Sequence, residues 1–177
     1  LNEARVEAEL GGVKEWAAAL VAVDVFRKEC QDLENYDPEK KLYLFNTVVK
    51  IAIGCAKEGG ESLKDTVKGR GLLELSEEAG RKLSLYKTDE DLLATDQVRI
   101  EQARRNAAAK LLKQEVLDAG LARITKSLEA KQPIEVLIER RKLLTRYEEF
   151  RSEGSLESKL QQALTLELTS PGELHVG

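Results

Sequence analysis

Apolar residues recur every three to four positions along most of the chain, the spacing that gathers them on one stripe of an α-helix. From Val13 the series Trp16, Leu20, Val23, Phe26, Cys30 and Leu33 keeps that rhythm as far as Asn35 and Tyr36 and predicts a long helix. Upstream, Asn2 to Leu10 is a short amphipathic candidate that ends at Gly11 and Gly12, since glycine costs about 1 kcal/mol inside a helix relative to alanine. Asp37-Pro38-Glu39 reads as a helix start. Asp accepts from free N–H groups, and proline at the first helical position lacks only an N–H that would have no partner. Leu42 to Ala56 is apolar nearly all round, with Leu42, Phe45, Val49, Ala52 and Ala56 on one face and Leu44, Val48, Ile51 and Cys55 on a second. The pattern predicts a central helix over 38–58 buried on most sides. The β-branched run Val48 to Ile53 makes a strand the competing reading there.

Residues 59–71 hold four of the 12 glycines, which predicts a flexible connector with one helical turn at most and an early site of proteolysis. Ser76-Glu77-Glu78 then starts a short helix, and Thr88-Asp89-Glu90-Asp91 a long one, with Thr88 capping and acidic groups suiting the positive helix end. That helix passes through Leu93, Ile100, Ala103, Ala107, Leu111 and Leu117, and Gly120 is its expected stop. Alanines at 103, 107 and 108 allow a neighbouring helix close. Leu121 to Lys131 forms a shorter helix. Pro133 opens another that runs through Ile134, Leu137, Ile138, Leu144 and Tyr147 to Gly154, and Ser155 caps a last piece with Leu156, Leu160, Ala163 and Leu164. The expected fold is all-α, an antiparallel multi-helix bundle of five to seven helices. It forms a single domain over 1–169, with long supports at 88–119 and 133–153 and a loose tail at 170–177. No 30- to 45-residue period is visible, so a degenerate helical repeat stack is only the alternative.

Composition changes this picture little. The 177 residues are 42% hydrophobic and 34% charged, enough apolar material for a core and too much for a disordered chain. The absence of methionine, with Leu1 first, predicts a processed form or an excised fragment. No apolar run approaches the ~20 residues of a membrane span. Cys30 and Cys55 share no CxxC motif and sit in apolar stretches. They read as buried free thiols, which mildly favours an intracellular, reducing compartment.

Chemistry-bearing residues are scarce. The one histidine, His175, lies in the expected tail, so nucleophilic triads have no base within reach. No zinc, di-iron or EF-hand ligand pattern is present, and neither Gly59-Gly60 nor Gly69-Arg70-Gly71 has the spacing of a phosphate-binding loop. No metal, no cofactor and no enzymatic activity are expected. No motif carries a resemblance to a known family.

Charge is the most informative feature. Residues 1–98 hold 14 basic and 20 acidic side chains, 99–151 hold 13 and 8, and 152–177 hold 1 and 4. The basic middle stretch presents Arg104, Arg105, Arg140, Arg141 and Arg146 as candidate partner-binding residues. They either counter acidic faces of the same bundle or form a docking surface for a protein partner with an acidic surface. Nucleic acid is disfavoured, because the whole chain is acidic, with a net charge of −4, and the basic stretch lacks interleaved aromatics. The functional expectation is a non-catalytic helical interaction or scaffold domain, an accessory subunit or fragment of a larger assembly. Its rival is a helical-bundle enzyme or small-molecule carrier that uses carboxylates and arginines.

Overall fold

The structure is a computed structural model and describes residues 12–31, 38–85 and 90–169. Of these, 93% are helical, with six α-helices and no strand among the described residues, so the all-α expectation holds. The helices are α1 (Val13–Gln31), α2 (Pro38–Glu61), α3 (Thr66–Lys82), α4 (Glu90–Glu129), α5 (Pro133–Arg146) and α6 (Gly154–Thr169). Single turns of 3-10 helix occupy Leu83–Leu85 and Glu148–Ser152. The expected helix at Asn2–Leu10, the caps at Asp37 and Thr88, and the tail at 170–177 fall outside the described residues.

The chain divides into two compact units, the first through Leu111 and the second from Leu112. The boundary leaves no trace in the sequence because it falls inside α4. That helix gives Ile100, Ala107 and Leu111 to the first unit's apolar clusters and Leu117 and Ile124 to the second's.

In the first unit α2 is the central helix, as its apolar faces require. Leu44, Phe45, Val48, Ile51, Ala52 and Cys55 are buried against Trp16, Leu20 and Val23 of α1 and Leu72 and Ala79 of α3. The Val48 to Ile53 run is helical, so burial rather than β-propensity decides its state. Each large side chain buried in this way contributes about 1.5–3 kcal/mol. The buried Ser76 hydroxyl is satisfied across the α2–α3 contact, since its Oγ donates to the Ala52 carbonyl at 2.6 Å.

The glycine-rich stretch departs most from expectation. Only Ser62–Asp65 is non-helical, Gly59 and Gly60 are buried in the last turns of α2, and Asp65 caps α3 by accepting the Lys68 N–H at 3.1 Å. The short helix expected from Ser76 is the second half of α3. These glycines are points of contact. A Cβ built on Gly59 would lie 2.9 Å from the Gly69 carbonyl oxygen, and one on Gly69 would meet Leu111 Cδ2 at 2.6 Å. Gly59 opposite Gly69, and Ala52 opposite Ser76, make α2 and α3 antiparallel.

In the second unit the rest of α4 pairs antiparallel with α5, with Gly120 against Leu143 and Arg123 against Glu139. Gly120 does not end its helix as predicted. A Cβ there would collide with Leu143, 2.5 Å from its Cδ1, so the position is a packing contact between continuous helices. The real stop is a Schellman turn. Lys131 adopts a left-handed φ of 55°, its N–H donates to Leu128, and the Gln132 N–H donates to Ser127 before Pro133 opens α5. Nor does α5 reach Gly154. It ends at Arg146 because Tyr147 turns extended, which lets Phe150 bury with Leu117, Leu144 and Leu156.

Candidate functional site

Arg104 and Arg105 belong to the first unit and Arg140, Arg141 and Arg146 to the second. Their surroundings differ. Arg104 is half-buried between α3 and α4, 3.4 Å from Glu77 and 3.0 Å from Glu101, with its Nε buried and without a hydrogen-bond partner. Arg105 is exposed and shares Glu101 at 3.2 Å. These two act as counter-charges to the acidic side chains of their own unit, one of the two roles the charge pattern allows.

On α5 the picture changes. The buried face is Val136, Leu143 and Leu144, so Ile134, Leu137 and Ile138, which the helical spacing groups with Leu144, stand out at 51%, 38% and 41% exposure. Positions 134, 138, 141 and 145 follow one another at three- to four-residue steps, one stripe along the helix. The stripe therefore runs from isoleucine to arginine: Ile138, Arg141, Lys142 and Thr145 line an open groove of about 410 Å³. The second apolar stripe was present in the residue spacing, but periodicity alone does not say which of two stripes meets a neighbour.

Around the groove, charges sort into paired and unpaired. Glu139 accepts from Arg123 at 2.9 Å and from Lys142 at 3.2 Å. Arg123's hydrogen bond, aided by Lys142 and opposed by burial, holds its carboxyl below the usual carboxylate range. Arg141 is exposed, with its carbonyl taking the Thr145 hydroxyl at 2.9 Å. Arg140 is half-buried, its Nε without a partner. Arg146 lies over the Tyr147 ring at 5.8 Å, while Lys113 sits 5.9 Å and 5.7 Å from the Tyr147 and Phe150 ring centres, within cation–π range. Four cations against Glu135 and Glu139 leave α5 with a net positive charge.

The thiols hold no such site. Cys30 and Cys55 are free and buried, and burial, with the Glu58 charge second, pushes the Cys55 thiol up to about 12. At neutral pH it is protonated and unreactive. Among the described residues no three His, Cys, Asp or Glu side chains gather as metal ligands, and no helix is long and apolar enough to cross a membrane. His175 lies outside the described residues.

Fold and surface together define an all-α chain of two helical units, the second bearing an exposed cationic and apolar helix face. Set against known protein families, curated proteins and solved structures, the chain matches none of them.

Proposed function

We propose that the chain is a non-catalytic helical interaction domain that docks an acidic protein partner through the outer face of α5. The observation that carries this reading is the exposed stripe of Ile134, Leu137 and Ile138 leading into Arg141. An apolar ridge beside Arg141, which has no ion pair among the described residues, and Lys142, which shares Glu139, matches the composition of docking surfaces, in which the apolar part supplies affinity while charge sets orientation and association rate. Arg's planar fork engages carboxylates in paired hydrogen bonds, which favours an acidic partner segment.

The test is the double variant Ile138→Ser with Arg141→Glu, assayed for melting temperature and for capture of a salt-eluted partner. Arg140 is left in place because its half-buried guanidinium makes it a poor probe of binding alone. Loss of capture at unchanged melting temperature is the expected result. A large fall in melting temperature would instead make this face part of the second unit's internal packing and would overturn the reading.

A further inference from the structure

The first unit carries a different concave surface, an open trough of about 620 Å³ between α2 and α4. Its floor is made of Ala56, Gly60, Ala103 and Ala107, and it exists because the two helices touch there. A Cβ on Gly60 would come within 3.0 Å of the Ala107 Cα. No side chain rises from this floor beyond a methyl group, so a third helix can bring its backbone to within the usual 8–10 Å spacing.

The walls supply the chemistry. Lys57 of α2 and Lys110 of α4 are both exposed, and neither has an ion pair among the described residues. Arg99, further along the same wall, is already held by Asp96 at 3.1 Å. Gln102 and Asn106 hydrogen-bond to each other at 2.9 Å and add no charge. Against these stands one carboxylate, Glu61. Along α4 the trough extends from Val98 to Lys110, about 18 Å of helix, or a little over three turns. An open trough of that length, with a small-residue floor and unpaired lysines on both walls, fits a rod.

We infer that the trough between α2 and α4 binds an amphipathic helix of a partner protein, one with a seam of small apolar residues flanked by glutamate or aspartate. This is the helix-in-groove mode, in which apolar anchors give affinity and flanking charges give orientation. It is independent of the α5 face, which lies in the other unit and uses other residues.

The probe is a labelled helical peptide of about 18 residues with an Ala/Leu seam and flanking glutamates, and its counterpart with lysines in place of the glutamates. Binding to the full chain is read by fluorescence anisotropy. The glutamate peptide is expected to bind more tightly than the lysine peptide, and to weaken at about 1 M salt, where the screening length is about 3 Å. In the variant Lys57→Glu with Lys110→Glu its affinity is expected to fall about tenfold or more, with melting temperature and helix content unchanged. Asn106→Trp, which fills the trough without changing its charge, is expected to abolish binding.

Equal binding of the two peptides, or binding that survives both sets of variants, overturns the inference. Loss of binding only in Ile138→Ser with Arg141→Glu also overturns it, by placing the peptide on α5 instead. So does salt-sensitive self-association of the chain that the lysine reversals abolish, which would make a second copy the occupant. Loss confined to the trough variants supports it whatever becomes of the α5 face.

Discussion

Trp16 donates its indole N–H to one carboxylate oxygen of Glu58, while the other oxygen accepts the Gly12 backbone N–H at 2.7 Å. One side chain on α2 thus fixes both the first turn of α1 and the ring that α1 buries over Gly54. Lys68 stands 3.9 Å away and adds a weak ion pair. Replacing Glu58 with alanine strands a buried indole N–H and an orphan helix-start N–H, and should cost about 2–3 kcal/mol. Glu58→Gln keeps one acceptor and should cost about 1 kcal/mol. Trp16 is the only tryptophan, so its fluorescence reports this contact alone. Urea unfolding followed by that emission should order the proteins as wild type, Glu58→Gln, Glu58→Ala. Equal midpoints would mean the carboxylate is not what holds α1.

The glycines of α2 and α3 should separate by contact rather than by position in the sequence. Glycine to alanine in a helix gains up to about 1 kcal/mol where the methyl group has room. Gly71 has room, since its Cβ would meet Val13 Cγ2 at an ordinary 3.7 Å, so Gly71→Ala should stabilise by about 0.5–1 kcal/mol. Gly59 and Gly69 face each other across the helix pair, and there the methyl group would press on backbone. Gly59→Ala and Gly69→Ala should destabilise by about 1–3 kcal/mol. Thermal unfolding of the three variants decides it, and a gain at Gly59 or Gly69 would mean that the helices are not so close.

Those same glycines mark where the sequence stops being legible. Pro38, the all-round apolar character of Leu42 to Ala56, and the Trp16, Leu20, Val23 series are local signals, and each specifies its helix correctly because burial and periodicity agree. Glycine is ambiguous in a way these are not. The missing side chain that breaks an exposed helix is the same feature that lets two helices touch, and only the partner helix, absent from the local pattern, distinguishes the two. In the sequence Gly59, Gly69 and Gly120 therefore have the look of a connector or a stop, and in the fold they are contacts. On α5 the pattern offers two apolar stripes, and the choice between Ile134–Ile138 and Val136–Leu143 is made by which one faces α4 and α6. The Glu58 clasp was invisible for a related reason, since its partners lie on a different helix.

Lys131 sets a further test. It holds the left-handed position of the turn between α4 and α5, at φ 55°, where an L side chain costs about 1–2 kcal/mol. Glycine pays no such strain but has more freedom to lose on folding. Lys131→Gly should therefore stabilise the second unit by a net of about 0.5–1 kcal/mol, and Lys131→Val should destabilise it. Chemical denaturation of both variants reads the difference. A loss in Lys131→Gly would show that the lysine side chain does more at this turn than fill a strained position.

Glu139 ties the stability of α5 to acid. Arg123 and Lys142 hydrogen-bond its carboxylate and hold its folded-state pKa below the unfolded value of about 4.3. The native state binds this proton less readily than the unfolded chain. The stabilisation is therefore fully present above about pH 4.3 and disappears as the pH falls through the lowered folded value. Both cationic partners are largely exposed, so solvent screening limits the effect to about 1 kcal/mol at most. Glu139→Gln removes the titrating group while keeping its shape. Wild type should melt above this variant at pH 7, and the gap should close as the pH falls below the unfolded value of about 4.3 and through the lowered folded one. High salt should narrow the gap at pH 7, because two of the three charges face water. A gap that persists undiminished at pH 3 would assign the cost to packing around the side chain rather than to its charge.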